Sequence, residues 1–390
     1  MEKASKATFI LILLIAALLF QSPLSVKGEP SERRFTITST VTYTNNGTNI
    51  PWNLTGEDYA ISLFMNNSWQ SVSLAEHSLS LNYIRNDTDG NLLGFFNVTQ
   101  LNPDQNVSYT VKYDIISEPR SIPNITENQS QSLVDIPVSL KDEYCKKEGT
   151  WLIDDPYLKG NATELAGNET RVLSIVKNFV KWIANDTNVE HDSAEVPRYP
   201  NETLLERKGD CDDQAILLIT LCRIIGIPAY LQVGCIFQFG SYPSPEEYWE
   251  GHVTSVLRQI GWHGWAIVYV PPWGWLPVDL TYVRLQLFDD PNDPLNNIRR
   301  AAVAEQDTIQ YMNFTSIDYV GTSRRLRKLI QENDFYVYMI DEMKTYIDFG
   351  SMWEIIKLVL KTALTATAVI AFSLAAVFIY KWKKTAKLTR

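Results

Sequence analysis

From Arg34 to Ile116 apolar and polar residues alternate. In Phe35–Tyr43 and Val107–Tyr113 every second residue falls on one face, the period of a strand lying on a core. Turn-forming clusters, Asn45-Asn46-Gly47 and Asn86-Asp87-Thr88-Asp89-Gly90, interrupt the pattern. Several short strands at this spacing predict an antiparallel β-sandwich over residues 29–140. Pro119, Pro123 and Pro137 mark residues 117–140 as a linker at its end. Whether this front module is a spacer or docks a substrate is not written in the alternation.

Beyond Leu152 the period lengthens. Between Thr170 and Ala184, the residues Val172, Ile175, Val176, Phe179, Val180 and Ile183 form one stripe of a helix. The polar stretch Asn185–Arg207 then leads to Lys208-Gly209-Asp210-Cys211-Asp212-Asp213 and the apolar run Ala215-Ile216-Leu217-Leu218-Ile219. Asp210 is placed to cap this second helix, which ends at Gly226 because Pro228 forbids continuation. Apart from Arg223 the helix is apolar almost all round, so it should be the buried centre of its domain. Strands follow at Ala229–Phe239, His252–Arg258, His263–Val270 and Trp275–Tyr282. A helix against consecutive strands predicts an α+β core over residues 141–292, with a helical extension over 293–353.

Candidate chemistry sits at the edges of these elements. Cys211 opens the buried helix, where unpaired N–H groups and about half a positive charge favour thiolate over thiol. His263, in Trp262-His263-Gly264-Trp265, and Asp279, in Gly274-Trp275-Leu276-Pro277-Val278-Asp279, follow at strand edges. Cysteine, histidine and aspartate in that order suggest an acyl-transfer triad, which needs no cofactor. The triad also makes a geometric demand. If residues 271–273 form a three-residue loop, Val270 faces Gly274 and Asp279 faces Trp265, so His263 and Asp279 share a sheet face. An even-length loop without a bulge would separate them. Asp210, Asp212 and Asp213 work against a thiolate. His252 is the rival histidine, but it lacks the Trp partner and the Gly-Trp block that follows His263. Trp262, Trp265, Trp273 and Trp275 suit core packing better than a substrate cleft. No Cys-x-x-Cys or His-Glu-x-x-His spacing predicts zinc, and no glycine-rich loop predicts a nucleotide.

The run Gly209-Asp210-Cys211-Asp212-Asp213-Gln214-Ala215-Ile216-Leu217-Leu218, continuing to Gly226-Ile227-Pro228-Ala229, resembles the cysteine-helix motif of the transglutaminase-like superfamily. The blocks His263–Val270 and Gly274–Thr281 resemble its histidine and aspartate strands, in the family's order. The resemblance covers roughly Thr170 to Tyr282. It implies a papain-like core with Cys211 as nucleophile, His263 as general base and acid, and Asp279 as the orienting carboxylate. Members of the superfamily include protein cross-linking enzymes, peptidases and deglycosylases, and some keep the fold without activity. Gly264 stands where the family usually has alanine.

Composition and the chain ends place this chemistry. A net charge of −10, with Arg324–Lys328 as the one dense basic cluster, argues against nucleic acid as partner; that cluster fits a solvated helix face better than a lipid-headgroup site. Lys3 and Lys6 precede the apolar stretch Ala7–Phe20, so residues 1–28 form a secretory signal peptide or an N-terminal anchor. Residues 354–380 form a juxtamembrane segment and a transmembrane helix, Thr362–Tyr380 being 19 residues without a charge. The basic tail 381–390 then lies in the cytoplasm. Thirteen glycosylation sequons, from Asn46 to Asn313, fall between those ends. An external, membrane-tethered protein with two domains results. Outside the cell disulfides persist, and the catalytic reading permits at most one, Cys145 with Cys235 or Cys222 with Cys235. The expected partner is a protein or peptide at the cell surface, whose amide bonds are hydrolysed or transferred. The competing expectation is a non-catalytic binding or assembly scaffold.

Overall fold

The alternating front strands do close a sheet, but with partners from far along the chain. The computed structural model describes residues 32–47, 50–121, 124–243, 245–282 and 293–346. Its front half contributes β1 (Arg33–Asn45), β2 (Trp52–Asn53), β3 (Ile61–Ser62), β4 (Gln70–His77), β5 (Leu81–Asn86), β6 (Leu92–Phe96), β7 (Gln100–Leu101) and β8 (Gln105–Ser117). Helices α1 (Val138–Tyr144), α2 (Pro156–Ala166), α3 (Val172–Ile183), α4 (Pro200–Glu206) and α5 (Cys211–Ile225) follow. Next come β9 (Ala229–Phe237), β10 (Pro245–Tyr248), β11 (Val253–Arg258), β12 (Ile260–Val270) and β13 (Gly274–Val278). The chain then forms α6 (Asn296–Arg299), β14 (Thr308–Phe314), α7 (Tyr319–Glu332) and β15 (Phe335–Tyr346).

A six-stranded sheet runs β10-β11-β15-β1-β8-β4, and a four-stranded one runs β13-β12-β9-β14. The larger sheet is the main departure from expectation. Its central strand β1 pairs with β8 on one side and with β15 on the other, Arg34 lying opposite Tyr346. Beside β15 lies β11, in parallel. The front is therefore no self-contained antiparallel sandwich. Residues 253–258, expected in the sheet behind the cysteine helix, join this other sheet instead, and β14 takes the vacant place. The described part of the expected helical extension, residues 293–346, is correspondingly not all helical, since it holds β14 and β15. The described residues from Arg33 to Tyr346 form one compact unit, since the large sheet interleaves strands from both expected domains.

On the helix side, α5 is the buried centre that its composition predicts, with Asp213 to Arg223 all buried. It packs on β9 and β12 and is covered by α2, α3 and α4. Val172, Leu173, Ile175, Val176, Phe179, Val180 and Ile183 of α3 fill the same core. A second core lies under the six-stranded sheet, from Phe35, Ile37 and Val41 of β1 to Tyr113, Ile115, Phe335 and Met343. Arg223 is accommodated by donating to Ala229 O at 2.8 Å and Thr315 O at 3.1 Å, with its guanidinium 4.3 Å from the Trp151 ring centre.

All four cysteines are free, and Cys222 and Cys235 belong to different cores. Each cation of the Arg324–Lys328 cluster has a carboxylate partner: Glu202, Asp318, Glu195 and Glu332. That agrees with a solvated helix face. The segments 1–28 and 354–380 expected to meet the membrane lie outside the described residues. Among the described residues no helix is long and apolar enough to cross a membrane.

Candidate active site

The hairpin between β12 and β13 meets the demand set by the sequence. Val270 lies opposite Gly274 and Ala266 opposite Val278, so the loop is residues 271–273. His263 and Asp279 consequently share a face, and His263 Nε2 lies 2.9 Å from Asp279 Oδ2. The strand stops at Val278, earlier than expected, and Asp279 stands just past its end. There it is fully buried. Its Oδ1 accepts from Tyr282 N at 3.0 Å and Thr281 N at 3.3 Å, and its Oδ2 from Ala302 N at 3.0 Å. Asn297 holds the backbone on both sides, accepting from Asp279 N at 2.8 Å and donating Nδ2 to Asp279 O at 2.7 Å. With its oxygens saturated by donors, this carboxylate is fixed in position and direction.

Cys211 enters at the N-terminus of α5, half-buried and close enough to the His263 ring to raise its pKa. Because Nε2 is engaged by Asp279, Nδ1 is the ring nitrogen left for the sulfur. Burial is the largest influence on the imidazole and pulls its pKa down. The Asp279 charge and hydrogen bond, together with Cys211, outweigh it and raise the value to about 10. The ring is thus held as an imidazolium at neutral pH.

The acids around Cys211 are not three equal charges. Asp213 is fully buried and held by Arg198, through Nη1 at 2.8 Å and the backbone N at 2.6 Å. Burial and the neighbouring Asp212 raise it to about 6 against the pull of Arg198. Asp210 occupies the cap position of α5, yet its side chain makes no cap bond. Burial, followed by the hydrogen bond and charge of Asp212, pushes it up to about 10, so it is a neutral acid at pH 7. Asp212 accepts from Tyr319 Oη at 2.7 Å and from Asp213 N at 2.9 Å. The crowding of acids that argued against a thiolate is therefore largely relieved.

Two glycines allow this packing. A Cβ on Gly264 would stand 3.1 Å from Asp212 Cβ, so glycine in place of the family's alanine gives that aspartate room. A Cβ on Gly209 would fall 2.7 Å from Asp213 Cβ. Among the described residues, the metal-ligating atoms that gather are those of Asp210, Cys211 and Asp212, within 4.8 Å of one another. Tyr319 already engages one Asp212 oxygen.

His252 belongs elsewhere: its Nδ1 lies 2.8 Å from Phe335 O and its ring stacks on Tyr336. Trp265 is buried and donates to Gln232 Oε1 at 3.1 Å, while Trp262 donates to Asp341 Oδ2 at 3.0 Å. Both serve packing. Arg198, Tyr319, Asn297 and Ala302 were not singled out by the sequence. The last three lie in the segment expected to be a helical extension, and no spacing ties them to the triad.

Residues 159–280 match the model of the transglutaminase-like superfamily core. No curated protein matches the sequence. Among solved structures, a candidate cysteine protease from Cytophaga hutchinsonii is 17% identical, covering 82% of this chain and 92% of its own, with a TM-score of 0.49. The periplasmic domain of TgpA from Pseudomonas aeruginosa is 14% identical, covering 65% of this chain and 91% of its own, at 0.30. LapG of Legionella pneumophila is 15% identical, covering 52% and 99%, at 0.26. No chemical inference rests on likenesses of this degree.

Proposed function

We propose that the transglutaminase-like domain is the working part of a membrane-tethered, external cysteine enzyme that acts on amide bonds of proteins or peptides. The observation that carries this reading is the buried His263–Asp279 pair, aligned at 2.9 Å beside a half-buried cysteine at a helix N-terminus. Cys211 and His263 work as a thiolate–imidazolium pair. The sulfur attacks the amide carbonyl carbon, and the oxyanion is held by the Cys211 N–H and a second donor. His263 gives its proton to the departing amine, leaving a thioester. Water then releases the acid, or an amine takes the acyl group. Hydrolysis is the preferred course, because water needs no acceptor site.

Two observations support the external location, and a third fits a tether. The 19 uncharged residues Thr362–Tyr380 precede a basic tail. Every sequon asparagine is exposed or half-buried. The strand by which the chain enters the fold and the one by which it leaves are paired neighbours, Arg34 opposite Tyr346, so both connections emerge at one end of one sheet.

Alkylation of the full chain with iodoacetamide across pH tests the chemistry. The competing thiols are poorly placed, since burial pushes Cys145 up to about 11 and seals Cys222 and Cys235. Labelling should therefore depend on Cys211 and vanish in Cys211→Ala. His263 keeps its charge up to about pH 10, so the rate should form a plateau ending there. In Asp279→Asn the lost carboxylate lowers the histidine pKa, and the plateau should end about 1–3 units earlier. A thiol that titrates and reacts like a model peptide would leave the scaffold reading in possession.

A further inference from the structure

We propose that Arg120, in the segment leaving the front sheet and outside the residues matched to the superfamily, is a positioning residue for the triad, acting through the 302–308 loop on Asp279. The inference rests on the catalytic reading above only for its consequence, not for its geometry. The Arg120 guanidinium donates through Nη1 to Val303 O and to Glu305 O at 2.8 Å, and through Nη2 to Thr308 O at 2.7 Å. A longer bond from Nη2 reaches Ser117 Oγ at the end of β8, at 3.3 Å. The side chain also lies against Trp69, 5.5 Å from the ring centre.

These carbonyls belong to the 3₁₀ turn Ala302–Ala304, to Glu305 just after it and to Thr308, the first residue of β14. The β9 ladder holds only the far end, where Phe237 N donates to Asp307 O and Thr308 pairs with Ile236, and Gln306 Nε2 donates to Ser117 O at 3.1 Å. Between Ala302 and Gln306 the planar Arg120 cation, with several donors, ties the turn to both the connection and the strand. Thr308 Oγ1 adds a bond to Ala302 O at 2.6 Å. The result is a fully buried Ala302 whose N–H points at Asp279 Oδ2, the same oxygen that faces His263. The Ala302 N–H and the ring converge on one carboxylate oxygen, and with the Thr281 and Tyr282 N–H groups on Oδ1 they set the carboxylate plane. Without the Ala302 N–H, Oδ1 keeps its Thr281 and Tyr282 donors, but Oδ2 is held by the ring alone and can swing away from Nε2.

Arg120 remains charged at neutral pH, although burial lowers it to about 10 against the opposing pull of Glu305 and Asp307. His263 itself is faced by Asp279 from the end of β13, by Cys211 from α5 and by the Tyr282 ring 5.9 Å away. Asp212 sits beside the backbone of its neighbour Gly264. Arg120 touches none of these groups directly, so any effect it has on the ring must travel through the loop. The front sheet is then a part of the catalytic apparatus rather than a removable spacer.

The test is the imidazole titration of His263, followed by NMR in the full chain, for Arg120→Met, Arg120→Lys, Asp279→Asn and the Arg120→Met/Asp279→Asn double variant. Arg120→Met should lower the His263 pKa by about one unit or more, because the carboxylate no longer faces the ring. Arg120→Lys, which keeps the charge and some donors, should recover part of the shift. In the Asp279→Asn background Arg120→Met should change the titration no further, the non-additivity expected of one pathway. An unchanged His263 titration in folded Arg120→Met, or an undiminished shift in the double variant, overturns the proposal. The readout needs no substrate. A wild-type Cys211 that alkylates like a model thiol would count against the catalytic reading alone.

Discussion

The helix-side core and the sheet-side core are of similar ambition but are assembled by different routes. Around α5 most buried residues come from one stretch, Leu158 to Val278, folded largely on itself. Under the six-stranded sheet they come from distant stretches, including Phe35 to Ile115, Val253 to Ile260 and Ile330 to Met343. The first core is dominated by helices whose apolar stripes exist before any tertiary contact is made. The second depends on pairings such as β1 with β15, across some three hundred residues, which loop closure makes slow to form. The candidate site stands where the two constructions meet. Cys211 and His263 belong to the first, but the loop that steadies Asp279 is pinned by Arg120 from the second.

The sharpest way to break this comparison is to damage each core alone. Phe179 of α3 and Phe35 of β1 are both buried to within 1%. Replacing either by alanine should cost about 3–5 kcal/mol. Because the described residues from Arg33 to Tyr346 form one compact unit, each variant should still melt in a single, lowered calorimetric transition. Two separated transitions would mean that the cores are independent domains after all.

Polar locks should matter next, and more on the helix side. Arg198→Ala leaves Asp213 buried without its cation, a loss of up to about 3–5 kcal/mol when the aspartate is charged. The folded pKa of Asp213 is raised to about 6, above its ordinary value of 3.8. Its ionisation therefore costs the folded state stability as pH rises from about 4 through 6. Without Arg198 that cost grows, so denaturant titrations should show a larger deficit at pH 8 than at pH 5. On the outer face of the large sheet, Thr40 and Thr110 share a hydrogen bond of 2.9 Å. Thr40→Ala should cost only about 0.2–1 kcal/mol, and a loss of several would show that this face is covered rather than open.

Much of the helix side was legible in advance. The 3.6-residue period of α3 and the cap-to-glycine limits of α5 each follow from local rules and are found, and the odd hairpin loop that the triad demanded is present. The sheet side was legible only as strands. Alternation in Phe35–Tyr43 says that one face is buried but not which strand lies beside it, and the pattern of residues 335–346 was not recognised as a strand at all. The same limit applies to the site. Cys211, His263 and Asp279 sit at element edges with recognisable neighbours, whereas Arg120, Asn297, Ala302 and Tyr319 have no local mark.

By itself the sequence determined the elements whose apolar period is local, and it singled out Cys211, His263 and Asp279 as candidates. It also set the condition that an odd hairpin loop puts His263 and Asp279 on one face, because side-chain direction alternates strictly along a strand; the structure supplied that loop. Tertiary structure alone decided the partners of β1, the transfer of residues 253–258 to the larger sheet and the state of the acids. Asp210 is neutral and Asp213 is matched to Arg198 because burial and neighbouring charge set a carboxyl's pKa. Those quantities exist only once distant segments have packed together.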